Sequence, residues 1–132
     1  MIKVLIYDDS EAVRTSIVNL LDRNDGFISV GAFANALQVE YQVEELMPDV
    51  VLMDINMPVL NGIDATLKIR SDRRYGNLVV YALTGEDEST TTHSRDWSVF
   101  DKVLSKPLKM PTLEALLDTH RATKAPEPYS SQ

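Results

Sequence analysis

Pro48-Asp49-Val50-Val51-Leu52-Met53-Asp54-Ile55-Asn56-Met57-Pro58 is the stretch on which the reading of the fold turns. Its centre is an apolar run rich in β-branched residues, too short for an ordinary helix and bounded by proline on both sides. It reads as a strand covered on both faces. Similar runs stand at Lys3 to Tyr7, Ile28 to Phe33, Leu78 to Leu83 and Lys102 to Leu104. The segments between them are long enough for helices, so the alternation predicts five strands and five helices in an α/β, doubly wound parallel sheet.

The helices have their own signals. Ser10 is a candidate N-cap, and Val13, Ile17, Leu20 and Leu21 then fall on one apolar face, closed by Asp25-Gly26. A second helix is expected from about Asn35 to Leu46, carrying Leu37, Val39, Val43 and Leu46 and ending before Met47-Pro48. A third follows Asn61-Gly62 with Ile63, Leu67 and Ile69 inward, and a fifth starts at Pro111 with Leu113, Leu116 and Leu117. The fourth, roughly Asp87 to Trp97, is rich in Ser and Thr, whose side chains compete for backbone hydrogen bonds, so it reads as a marginal helix.

Composition bounds the function. The sequence has 132 residues, 44% hydrophobic and 25% charged, as expected for one domain over residues 1–123. Residues 124–132, Lys-Ala-Pro-Glu-Pro-Tyr-Ser-Ser-Gln, read as a disordered tail or linker. With no cysteine there is no disulfide framework, thiolate metal site or cysteine nucleophile, and a cytoplasmic setting is the expectation. No apolar run approaches the length of a membrane span, and the start turns acidic too early for a signal peptide. A formal charge of −7 argues against direct nucleic-acid binding.

Ligands of a doubly wound sheet sit beyond the carboxyl ends of its strands. There the sequence places Asp8-Asp9 after strand 1, Asp54 after strand 3, Thr84 after strand 4 and Lys106-Pro107 after strand 5. Each has an ordinary reading by itself: acids complementing a helix dipole, a turn residue, a loop hydroxyl, a surface turn. Together they form one constellation. Three carboxylates in one pocket are costly unless a hard cation offsets them, and magnesium suits oxygen ligands with water and phosphate. Thr84 and Lys106 would then contact a phosphoryl group, leaving one carboxylate free as the nucleophile toward phosphorus.

The words Val4-Leu5-Ile6-Tyr7-Asp8-Asp9-Ser10, Pro48 to Pro58, Asn61-Gly62, Ala82-Leu83-Thr84-Gly85 and Leu104-Ser105-Lys106-Pro107 resemble, in order and spacing, the receiver domain of two-component response regulators. The resemblance runs from about Lys3 to Arg121 and implies a flavodoxin-like strand order 2-1-3-4-5. It also implies a phosphorylation-dependent switch. Asp54 would be the phosphoacceptor, served by a sensor histidine kinase or a histidine phosphotransfer protein. Asp9, Asp54 and the main-chain carbonyl of Asn56 would bind Mg2+ directly, and Asp8 through water. Thr84 and Lys106 would contact the phosphoryl group, Asn56 and Glu86 would tune its lifetime, and the bond before Pro107 is a candidate cis peptide. An output protein or fused effector would receive the signal through the fourth helix, strand 5 and the fifth helix. The implied molecule is a monomer, with dimerisation on phosphorylation in prospect.

The sequence departs from the family at Val103, where an aromatic is usual, and at Val99-Phe100, where a small Gly-Ala pair is usual. Trp97 or Phe100 could stand in for the aromatic, or pack beneath the fourth helix. Two other readings compete. One is a receiver fold that is never phosphorylated and works as a docking module. The other is a haloacid-dehalogenase-like phosphatase, which Asn56 in place of a second aspartate, the upstream acid pair and the short chain all disfavour.

Overall fold

The computed structural model describes residues 1–85 and 97–124, with side chains through residue 120. Five strands, β1 (Ile2–Tyr7), β2 (Phe27–Phe33), β3 (Val50–Asp54), β4 (Val79–Thr84) and β5 (Lys102–Ser105), form one sheet in the order β2-β1-β3-β4-β5. Every pairing is parallel. Among the described residues the helices are α1 (Glu11–Asp22), α2 (Val39–Leu46), α3 (Gly62–Ser71) and α4 (Met110–Lys124). Short 3-10 turns occupy Arg73–Tyr75 and Trp97–Val99. The helix expected over 87–97 falls on residues outside the description, except that Trp97 opens a 3-10 turn. Residues 125–132, the bulk of the expected tail, also lie outside it, while α4 runs through Lys124.

Side-chain alternation along the strands builds two cores. Leu5 and Tyr7 of β1, Val51 and Met53 of β3, and Val80 and Ala82 of β4 face one layer with α2 and α3. Val4 and Ile6, Val50 and Leu52, and Tyr81 and Leu83 face the other, with α1 and α4. Because both faces are covered, the central strands carry almost no polar residue until their last positions.

The helix starts follow local chemistry. Ser10 caps α1, its hydroxyl accepting from the Val13 amide at 3.3 Å, and Asn61 caps α3 by accepting from the Asp64 amide at 2.9 Å. Two expectations need correction. The second helix begins at Val39 rather than Asn35, because the Asn35 side chain accepts from the Leu37 amide at 3.1 Å and holds a local turn; Leu37 is half-exposed. Leu67 of α3 is also half-exposed, since the buried stripe runs through Gly62, Thr66 and Ile69; Thr66 is admitted there by its bond to the Gly62 carbonyl at 2.8 Å.

The start of α3 is pressed against the end of β3. The Gly62 amide donates to the Ile55 carbonyl at 2.9 Å, and a Cβ at residue 62 would collide with the Asp54 carbonyl oxygen and lie 2.8 Å from Ile55 Cα. Backbone cannot yield as a flexible side chain can. Gly62→Ala should therefore lower unfolding free energy by about 1–3 kcal/mol in denaturant titrations. An unchanged midpoint would show that α3 has slack to move off Asp54.

Candidate functional site

The parallel sheet brings the carboxyl ends of β1, β3, β4 and β5 to one edge, where Asp8, Asp9, Asp54 and Lys106 come together. Asp8 directly follows β1, Asp54 ends β3, Thr84 ends β4 and Lys106 directly follows β5. Asp8, Asp54 and Thr84 are buried, at 0%, 1% and 2% exposure, while Asp9 is exposed. The Lys106 amide donates to the Thr84 carbonyl at 2.7 Å, which seats the lysine beside β4. The Lys106–Pro107 peptide bond is cis.

Lys106 bridges the two buried carboxylates. Its Nζ lies 3.0 Å from Asp8 Oδ2 and 3.1 Å from Asp54 Oδ1. Asp8 Oδ2 is buried with no aligned hydrogen-bond donor, so the ammonium meets it as an ion pair. Asp54 Oδ1 also accepts from the Asn56 amide at 3.3 Å. One carboxylate oxygen from each of Asp8, Asp9 and Asp54 lies within 4.8 Å of the others.

These contacts set the protonation chemistry. Burial, then the neighbouring Asp8 carboxylate, push the Asp54 carboxyl up to about 7 against the opposing pull of Lys106 and the Asn56 amide. For Lys106, burial favours the neutral amine, but the carboxylates of Asp8 and Asp54 beside it outweigh burial and raise the ammonium above the usual lysine range. Lys106 thus pairs with two of the three clustered acids, Asp8 and Asp54. A close set of carboxylates with an unaligned buried oxygen is a donor set that a hard divalent cation could occupy.

The remaining predicted positions are mixed. Asn56 is exposed on the loop after Asp54, and Val103 is 46% exposed on β5. Glu86 lies outside the described residues. Phe100 is buried in the core shared with Met57 and Ile63, and its ring centroid is 6.1 Å from that of Trp97. Sequence reasoning missed Arg14, whose Nη1 donates to the Asp8 carbonyl at 2.8 Å. The available signal was a cation in the first turns of a helix, where the dipole disfavours it. The packing need at Gly62 was missed as well, since nothing local marks it.

Comparison with known proteins agrees with this geometry. The model of the response regulator receiver domain matches residues 4–118. The chain is 35% identical over 100 residues to the protein-glutamate methylesterase/protein-glutamine glutaminase of Idiomarina loihiensis, covering 76% of this chain and 26% of that protein. It is 42% identical over 84 residues to the response regulator GacA of Pseudomonas syringae pv. syringae, covering 64% and 38%. The chain therefore spans well under half the length of these curated relatives. Among solved structures, the receiver domain of the sensor histidine kinase PA1611 from Pseudomonas aeruginosa PAO1, with magnesium coordinated in its active-site cleft, superposes with a TM-score of 0.78. It is 26% identical and covers 89% of this chain and 95% of that one. On its strand order, its strand-end acids and lysine, and the family match over residues 4–118, the chain belongs to the response regulator receiver domain family.

Proposed function

We propose that the chain is a phosphorylation-dependent signalling switch in which Asp54 accepts a phosphoryl group from a sensor histidine kinase or histidine phosphotransfer protein. The observation that carries this reading is the convergence of Asp8, Asp9, Asp54 and Lys106 in one strand-end pocket. An Asp54 carboxylate oxygen attacks phosphorus, the new O–P bond forming as the bond to the donor nitrogen breaks. The donor imidazole keeps the electron pair and takes up a proton. Water later attacks the acyl phosphate, releasing inorganic phosphate and restoring the carboxylate.

Asp9, Asp54 and the Asn56 main-chain carbonyl would hold Mg2+ directly and Asp8 through water. When bound, the ion offsets the crowded negative charge and polarises the transferring group. Lys106 leaves its carboxylate partners to meet one phosphoryl oxygen, and the Thr84 hydroxyl meets another. Asn56 and Glu86 set how readily water reaches phosphorus. The phosphorylated state then favours the arrangement in which Thr84 and Lys106 close on the group, shifting a pre-existing equilibrium toward the output-competent form. The setting is a cytoplasmic phosphorelay with an output protein or fused effector. Among the described residues no helix is long and apolar enough to cross a membrane.

The haloacid-dehalogenase-like alternative gives way to the family match. The docking-module alternative is separated by intact mass after incubation with Mg2+ and excess acetyl phosphate, with Asp54→Asn and a magnesium-free sample alongside. One hydroxylamine-labile phosphoryl adduct is expected, absent from both controls. If neither the adduct nor beryllium fluoride binding is found, the site residues serve a docking module without phosphotransfer.

The raised Asp54 carboxyl adds a pH test. A carboxyl with its midpoint at about 7 carries its proton below that pH, and a cation must displace it. Apparent Mg2+ affinity should therefore rise about tenfold from about pH 6 to about pH 8 and level off above. Calorimetric titration at each pH measures it, and a flat profile would mean that Asp54 is ionised throughout.

A further inference from the structure

Arg14 stands where helix electrostatics argue against it. It follows the Ser10 cap by four residues, at the positive end of α1, and no ion pair of Arg14 is found among the described residues. Its guanidinium instead folds back past the helix start, and Nη1 donates to the Asp8 carbonyl at 2.8 Å. A residue that breaks a local rule is best explained by what it holds in place.

What it holds is the most constrained acid of the site. The Asp8 amide donates to the Phe33 carbonyl at 3.1 Å, Asp8 Oδ1 accepts from the Ser10 amide at 2.9 Å, and Oδ2 faces Lys106 Nζ at 3.0 Å. Arg14 supplies the remaining restraint, on the carbonyl. With it, the peptide joining Asp8 to Asp9 is fixed from the helix side, and both carboxylates leave the strand in set directions. We propose that Arg14 is a positioning residue of the acid cluster, preorganising Asp8 and Asp9 for a divalent cation. This inference rests on the proposed metal site.

The sign of the effect separates positioning from simple charge. Removing a cation near three carboxylates should by electrostatics alone tighten Mg2+ binding, whereas loosening the acid pair should weaken it. Arg14→Gln is expected to weaken Mg2+ binding by about three- to tenfold in calorimetric titration at constant pH. Arg14→Lys, which keeps a donor and the charge, should recover part of the loss. In metal-free protein, amide exchange at Ser10 should quicken in Arg14→Gln, because the Asp8 carboxylate that accepts from it is no longer held. Thermal melts of both variants report folding, and Arg14→Lys carries the titration should Arg14→Gln not fold.

Unchanged or tighter Mg2+ binding by folded Arg14→Gln overturns the inference, as does a lowered melting temperature with wild-type affinity. Wild-type protein that binds no Mg2+, with Asp9→Asn indistinguishable from it, overturns the metal-site reading and this inference with it. Wild-type binding lost in Asp9→Asn upholds the site and leaves Arg14 to be judged by its own variants.

Discussion

Everything in this molecule leads to one electrostatic constraint: two fully buried carboxylates, Asp8 and Asp54, share a single ammonium. Buried charge is tolerated only when paired, and here the pairing is incomplete, since Asp9 adds a third acid at the rim. Such a cluster would relax apart if the backbone allowed it. The parallel sheet does not. Each acid leaves the end of a hydrogen-bonded strand, and β1, β3 and β4 lie side by side with Lys106 delivered from β5. The apolar layers on both faces keep water from diluting the repulsion.

The backbone around the acids is correspondingly over-determined. Asp8 is held at its amide, its carbonyl and one carboxylate oxygen. Asp54 is backed by the start of α3, which approaches so closely that only glycine fits at residue 62. The raised Asp54 carboxyl is the thermodynamic trace of this confinement, because a freer side chain would escape toward water and titrate in the ordinary range.

Most of this plan was legible in the sequence because it depends on short-range pattern. Apolar runs ending in Asp8, Asp54 and Thr84 identify strands and place their last residues at one edge. Ser10 and Asn61 announce helix starts by cap chemistry that the structure retains. What escaped depends on contacts between distant residues. Arg70 looks like any cation in a last helical turn, yet its guanidinium donates to carbonyls of Tyr75, Gly76, Leu78 and Val99 and pairs with Asp101 at 3.0 Å. Asp101 in turn accepts from the Val80 amide at 2.8 Å. Leu67 and Leu37 differ for the opposite reason: their hydrophobic type predicts burial, while Thr66 and an Asn35 turn decide the actual faces.

The same constraint explains why such a site suits a switch under the proposed function. Without a cation, the acids outnumber their lysine and Asp54 sits near its titration midpoint at neutral pH. A divalent ion would bring the pocket close to neutrality, and a phosphoryl group on Asp54 would carry negative charge back in. Lys106 cannot serve Asp8, Asp54 and the new oxygens equally. Under the proposed function its 3.0 and 3.1 Å contacts would compete with the stronger acceptors of the phosphoryl group, and its position would depend on the state of Asp54. Lys106 is bonded through its amide to Thr84 and follows β5 directly, so the lysine is tied to the ends of both β4 and β5. Val103, half-exposed on β5, lacks the ring usual there, whereas Phe100 keeps an aromatic in the core beside the loop after Asp54. The aromatic packing next to β5 in this chain thus sits just before the strand, at Phe100, and not in its middle.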